Sequence, residues 1–193
     1  MNTRTSKVKE TIVLLTIVLL VSTTIFVFTP MTRMAKAGQI GQIKVREGFE
    51  TWPPRGWEIY SLLSIIQTTG HPGGECMVGC HAAKIFRPNY RFFCQMFTPI
   101  FNGKKGGGNI LTFWHKQTLN NNDQLAVFVT NYLENFVQIA SYNSTVNWTY
   151  EIIDLNDFIY PTKTMQVCFI TVLLNNVDNV YLDEVTITGV SGP

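Results

Sequence analysis

The sequence predicts an all-β chain: a two-sheet antiparallel β-sandwich preceded by an N-terminal hydrophobic signal helix. Three observations carry that prediction. Beyond residue 40 the apolar pattern has a period of two. Leu125, Val127 and Val129 alternate with Ala126 and Phe128, and the runs Phe136–Tyr142, Met165–Val172 and Val180–Ile187 behave alike. β-Branched and aromatic side chains dominate these runs and suit a pleated, half-buried surface. Turn-forming clusters interrupt them at short intervals, at residues 70–74, 102–108, 120–123, 143–145 and 175–178. Their Gly, Pro, Asn and Asp residues supply the backbone angles and local hydrogen bonds that turns need. Nine or ten strands at that spacing imply two packed sheets. The third observation is that the long apolar run lies at the N-terminus, and nothing after it has helical periodicity.

Taken in order, Arg4, Lys7 and Lys9 precede an uncharged run from Thr11 to Phe28, followed by Pro30 and Ala35-Lys36-Ala37. This is the arrangement of a basic n-region, an apolar h-region and an A-x-A cleavage site. The run is long enough that residues 1–37 read either as a cleaved signal peptide or as an uncleaved signal anchor, the only membrane contact the chain offers. Both readings place the remainder outside the cytoplasmic membrane, secreted or at the cell surface. Residues 38–44 read as a linker and 45–193 as one domain; the 156 residues after Ala37 suffice for one core. The first 37 residues hold five basic side chains (Arg4, Lys7, Lys9, Arg33, Lys36) and one acidic one (Glu10). The chain's balance of 15 basic against 13 acidic therefore becomes 10 against 12. A chain of about −2 with one adjacent basic pair, Lys104-Lys105 in a glycine-rich turn, is no nucleic-acid surface.

Two segments mark the ends of the domain. Gly48-Phe49-Glu50 runs into Pro53-Pro54-Arg55-Gly56-Trp57, and Tyr181-Leu182-Asp183-Glu184-Val185-Thr186-Ile187 sets an acidic pair inside an alternating strand. Between them come Gly79-Cys80-His81-Ala82-Ala83, Phe97-Thr98-Pro99-Ile100, Ile110–Trp114, Leu125–Val129 and Trp148–Leu155. In order and spacing, over residues 47–188, this series resembles the cleaved-adhesin or choice-of-anchor J domains, relatives of MAM and carbohydrate-binding jelly rolls. The resemblance implies a jelly roll closed by pairing of its first and last strands. It also implies an extracellular, non-catalytic adhesion or binding module contacting a protein or glycan at the cell surface. A stand-alone carbohydrate-binding module and a structural subunit of a surface layer, appendage or virion are the alternatives. In such domains a first-strand and a last-strand carboxylate share one ion, so the resemblance makes Glu50 and Asp183 the ligands of a structural Ca2+. Backbone carbonyls and waters would complete its six to eight oxygens. The competing reading makes Glu50 a solvent-facing residue and Asp183-Glu184 a pair that blunts a sheet edge. No Asp occurs between Glu58 and Gly70, where relatives often hold calcium.

Cys76, Cys80, Cys94 and Cys168 are an even set in an exported chain and read as disulfide formers. A Cys94–Cys168 bridge requires neighbouring strands and leaves Cys76–Cys80 to close a small loop. Buried thiols, or zinc on Cys76, Cys80, His81 and Cys94, are the other readings. Asn143-Ser144-Thr145 and Asn147-Trp148-Thr149 are glycan-acceptor sequons. Asn143 is the better placed, because Trp148 is expected to face the core. No Gly-x-Ser-x-Gly or His-Glu-x-x-His pattern occurs, and His71, His81 and His115 have no carboxylate partner nearby in sequence, so an enzyme is not expected. Aromatic rings suit the apolar face of a pyranose. Among Trp52, Trp57, Tyr60, Trp114, Tyr132 and Tyr142, the turn residues Trp52 and Tyr132 are the expected exposed ligand-binding pair, while Trp57, Trp114 and Trp148 are expected in the core.

Overall fold

A computed structural model describes residues 41–61, 64–67, 77–79, 81–87, 93–105, 107–120, 122–131, 136–174 and 177–190. The signal segment, Cys76, Cys80 and Tyr132 lie outside the described residues. Among the described residues there are eleven strands: β1 (Ile43–Glu47), β2 (Glu58–Ser61), β3 (Ser64–Gln67), β4 (Ala83–Phe86), β5 (Phe93–Phe97), β6 (Gly108–Thr118), β7 (Gln124–Thr130), β8 (Val137–Tyr142), β9 (Val146–Asp154), β10 (Gln166–Val172) and β11 (Asn179–Val190). A 3-10 turn, Leu155–Asp157, follows β9, and Asp154 caps it by accepting the Asn156 N–H.

The strands form two antiparallel sheets. One runs β3-β4-β11-β6-β9 with β1 also paired to β11; the other runs β2-β5-β10-β7-β8. The first and last strands do pair, Ile43 opposite Thr188 and Glu47 opposite Val185. The sandwich therefore begins at Ile43, two residues inside the stretch expected to be linker, and the Gly189 N–H adds a bond to the Gln42 carbonyl. Strand β11 is interior to its sheet, flanked by β6 on one side and by β4 and then β1 on the other. Asp183-Glu184 consequently cannot blunt an edge. The two acids form a bulge: β11 slips register against β6 between Asp183 and Thr186, at the point where its other neighbour changes from β4 to β1.

The core lies between the sheets, where one alternate set of each strand meets: Leu111 and Phe113, Leu125 and Val127, Val167 and Phe169, Leu182 and Ile187. Rings bridge it. Phe49 and Trp57 meet edge-on at 5.5 Å, Trp57 stacks on Phe169 at 6.3 Å, and Phe169 meets Phe113 at 5.3 Å. Trp57 thus packs on the core as expected. Trp114 and Trp148 do not. In β6 the inward set is Leu111, Phe113, His115 and Gln117, so Trp114 points out beside Tyr150 (4.9 Å), and Trp148 lies by Tyr181 (6.2 Å) on the same outer face.

The cysteine pairing is also corrected. β5 and β10 are neighbours, as a Cys94–Cys168 bridge requires, but Cys94 pairs with Thr171 and Cys168 with Phe97. An offset of three residues puts the two side chains on opposite faces of one sheet. Both are buried thiols. Burial, with Cys94 next in importance, pushes the Cys168 thiol well above its ordinary value, which makes it a poor nucleophile.

Candidate functional site

The closing junction is built where β1 ends, β4 begins and β11 bulges. Phe49 (φ 56°) and Glu184 (φ 43°) are the non-glycine residues with left-handed backbone among those described, and both lie here. Such angles cost about 1–3 kcal/mol each and persist only where surrounding packing enforces them. Phe49 is fully buried, and its N–H donates to the Glu47 carboxylate at 2.7 Å. Asp183, also fully buried, accepts the backbone N–H groups of Met77 and Val78 on Oδ2, each at 2.8 Å, and that of Glu184 on Oδ1 at 2.7 Å. Burial raises its pKa above the ordinary carboxylate value, partly offset by those three N–H donors. Burial likewise raises Glu47, opposed by the Phe49 N–H.

Glu50 comes to the other end of the same short segment. Its Oε1 accepts the His81 N–H at 3.1 Å, and its Oε2 lies 3.0 Å from His81 Nδ1. Gly79, with φ +71°, makes this approach possible: a Cβ there would stand 2.1 Å from Glu50 Oε1. Residues 77–79 and 81 thus lie against both carboxylates expected to share an ion. Arg46 pairs with Glu184 at 3.1 Å, at the mouth of the junction. Among the described residues no three His, Cys, Asp or Glu side chains gather as a metal-binding group. The zinc alternative also loses its described members, since His81 is turned to Glu50 and Cys94 is in the core.

The second feature is a row of rings on the outer face of the five-stranded sheet. Tyr60 on β2 and Phe97 on β5 meet edge-on at 5.9 Å, and Phe97 meets Phe136, just before β8, again at 5.9 Å. Strands β10 and β7 lie between β5 and β8 in the sheet, and the contact between Phe97 and Phe136 spans them. Tyr60 is 57% exposed and Phe136 49%. Gln95, opposite Tyr60, and Gln138, opposite Phe128, alternate with core residues and add amide donors and acceptors to that face. The face offers flat apolar surface bordered by these amides and by the Glu58 carboxylate, which stands opposite Phe97 and accepts the Tyr60 hydroxyl at 3.1 Å.

Of these three rings the sequence reading names Tyr60, as one of six candidates, and does not name Phe97 or Phe136. Trp52, one of the preferred pair, is half-buried and packs against the core. Asn143, in the β8–β9 turn, and Asn147, on β9, are both exposed. The histidine reading also changes. His115 is buried between the sheets with Nε2 3.3 Å from Glu151 and its ring 4.3 Å from Tyr142. Burial first, then the Glu151 charge, pushes the Tyr142 phenol far up. The His115 ring packs on Phe113 and Tyr142, while Glu151 keeps 27% of its side chain exposed.

Neither a protein-family model nor a curated relative matches the sequence. Solved structures do match in fold. The sandwich is that of the cleaved-adhesin and carbohydrate-binding jelly rolls. The K1 cleaved adhesin domain of Lys-gingipain from Porphyromonas gingivalis W83 superposes with a TM-score of 0.56 at 18% identity, over 78% of this chain and 99% of that one. The K3 cleaved adhesin domain gives 0.53 at 21%, over 79% and 99%. A family 61 carbohydrate-binding module in complex with β-1,4-galactotriose gives 0.58 at 16%, over 74% and 94%. A family 29 module complexed with mannohexaose gives 0.52 at 14%, over 78% and 94%.

Proposed function

We propose that this chain is a secreted or surface-held, non-catalytic adhesion module that contacts glycans through the outer face of its five-stranded sheet. The observation carrying the reading is the Tyr60–Phe97–Phe136 row: three rings in contact across a sheet, with exposed ends and amides beside them. Such a surface gives up little solvation to stack on a pyranose, and the amides fix hydroxyl orientation. The likeness in fold to modules solved with galactotriose and mannohexaose supports it. The test is a glycan array read with the native domain and with Tyr60→Ala and Phe136→Ala. Retained glycans that fade in both variants, at unchanged melting temperature, are expected. An array without hits, alongside a protein partner captured equally by all three, would replace the glycan with a protein contact.

Two further assignments go with this reading. Glu50 and Asp183 are proposed to hold a structural Ca2+. Hard carboxylate oxygens suit that ion, and Asp183 is a buried carboxylate whose described partners are all backbone N–H groups. The ion would compensate buried negative charge and tie β1 to β11. A melting temperature raised by calcium and lowered by chelator is expected; no shift would remove the ion. Asn143 is proposed as a glycan acceptor, to be read as a mass increment lost in Asn143→Gln.

A further inference from the structure

The glycine-rich turn that joins β5 to β6 takes no part in the sheet-face reading, yet it is unusually well anchored. The Phe101 and Met165 backbones exchange hydrogen bonds of 2.9 Å in both directions, and the Gly103 N–H donates to the Thr162 carbonyl at 2.8 Å. Gly103 is required there, since a Cβ would stand 2.0 Å from Met165 Sδ and 3.0 Å from the Thr162 carbonyl. Asn109, fully buried, ties the turn to the segment after β9: its Nδ2 donates to the Gly103 carbonyl at 3.1 Å and to Asn156 Oδ1 at 2.7 Å. These bonds hold open a cleft of about 370 Å3 lined by Gly103, Lys104, Gly107, Asn156, Tyr160 and Pro161. That volume is within the range of small-ligand sites.

The lining is chemically specific. Tyr160 is 71% exposed, and the Lys104 ammonium lies 5.8 Å from its ring centroid. Asn156 spends Oδ1 on Asn109, which leaves its amide N–H groups as donors at the cleft. No carboxylate lines the cleft; Asp157, on the same 3-10 turn, is not among its walls. A flat ring, a cation and an amide donor at a preformed site are complementary to a sugar ring that carries a negative charge. We propose that this cleft binds an anionic pyranose, bearing a carboxylate or a sulfate, with the sugar against Tyr160, the anionic group on Lys104 and a hydroxyl on Asn156. It is a site separate from the aromatic row and shares with that reading only the class of ligand.

The test is calorimetric titration of the domain with trigalacturonate and with its methyl ester, which has the same shape without the charge; a sulfated trisaccharide is a parallel arm. The acid, or the sulfated sugar, is expected to bind about tenfold more tightly than the ester, with the preference shrinking as salt rises. Lys104→Gln should abolish the preference, and Tyr160→Ala should weaken acid and ester together, neither changing the melting temperature. Phe136→Ala should leave acid affinity unchanged, so that failure of the sheet-face reading is not failure of this one. Binding of only one anionic sugar identifies which group Lys104 receives. Equal binding of acid and ester with no sulfated preference, no binding of either anion, a preference that survives Lys104→Gln, or loss of acid binding in Phe136→Ala would each overturn the assignment.

Discussion

The closing junction and the outer face of the five-stranded sheet use the same polypeptide for opposite ends. At the junction the polar atoms are spent inward: Asp183 takes three backbone N–H groups, Glu50 lies on Gly79 and His81, and two residues accept left-handed backbone. On the sheet face the terminal rings of the aromatic row keep about half their surface in solvent. The lesson is that buried, strained and charged features here report how the sandwich is closed, while the proposed contact surface is the weakly held one. Changes at the junction should therefore move stability, and changes on the face should move affinity alone.

The largest break is expected from Phe49→Ala. It deletes a fully buried ring from the Phe49–Trp57–Phe169 stack, a loss of about 3–5 kcal/mol. In a domain of this size that is a fall of about 10 °C or more on calorimetric melting. Asp183→Ala comes next, since it strands the Met77, Val78 and Glu184 N–H groups. Relief of a buried charge offsets part of the damage, leaving about 2–3 kcal/mol. Gly79→Ala should cost about 1–2 kcal/mol through its positive φ, displace Glu50, and reduce any stabilisation by calcium. The smallest free-energy change is on the face. Phe136→Ala should weaken glycan binding about tenfold, or about 1.4 kcal/mol, with the melting temperature unmoved.

pH sharpens the same contrast. Asp183 and Glu47 have folded-state pKa values raised by burial. Their contribution to stability is therefore fully present below the ordinary carboxylate range, about pH 4, and is lost as pH rises through the raised values. In chelator, melting should be higher at pH 5 than at pH 7.5. Calcium, which requires ionised carboxylates, should reverse that slope, and Asp183→Asn should flatten it in chelator. A slope unaffected by Asp183→Asn would place its origin elsewhere.

Much of the architecture was legible in the sequence. The alternation of Leu125–Val129 and of Val180–Ile187 gave strands and the turn clusters gave their limits, whereas the acidic pair in the last strand proved to sit at a bulge inside the sheet and not at its edge. What alternation cannot give is which of two sets faces inward. In β6, Ile110, Thr112, Trp114 and Lys116 compete with Leu111, Phe113, His115 and Gln117, and volume favours Trp114 over His115. The structure turns the second set inward, where His115 Nε2 lies by the Glu151 carboxylate and Gln117 donates to the Ser144 carbonyl, while His115 Nδ1 and Gln117 Oε1 are buried without a partner. Register was equally hidden, and with it the separation of Cys94 from Cys168. The aromatic row was invisible for a third reason. Tyr60, Phe97 and Phe136 lie far apart in the chain and become neighbours only through the strand order β2-β5-β10-β7-β8.

The measurement that bears most directly on the account is an NMR titration of the isotopically labelled domain with the strongest glycan from the array. Shifts are expected to concentrate on Tyr60, Gln95, Phe97, Phe136 and Gln138, with Phe49, Asp183 and the six-stranded sheet undisturbed. Shifts centred on the Trp114–Tyr150 face or on the junction, with the Tyr60–Phe136 row silent, would contradict it.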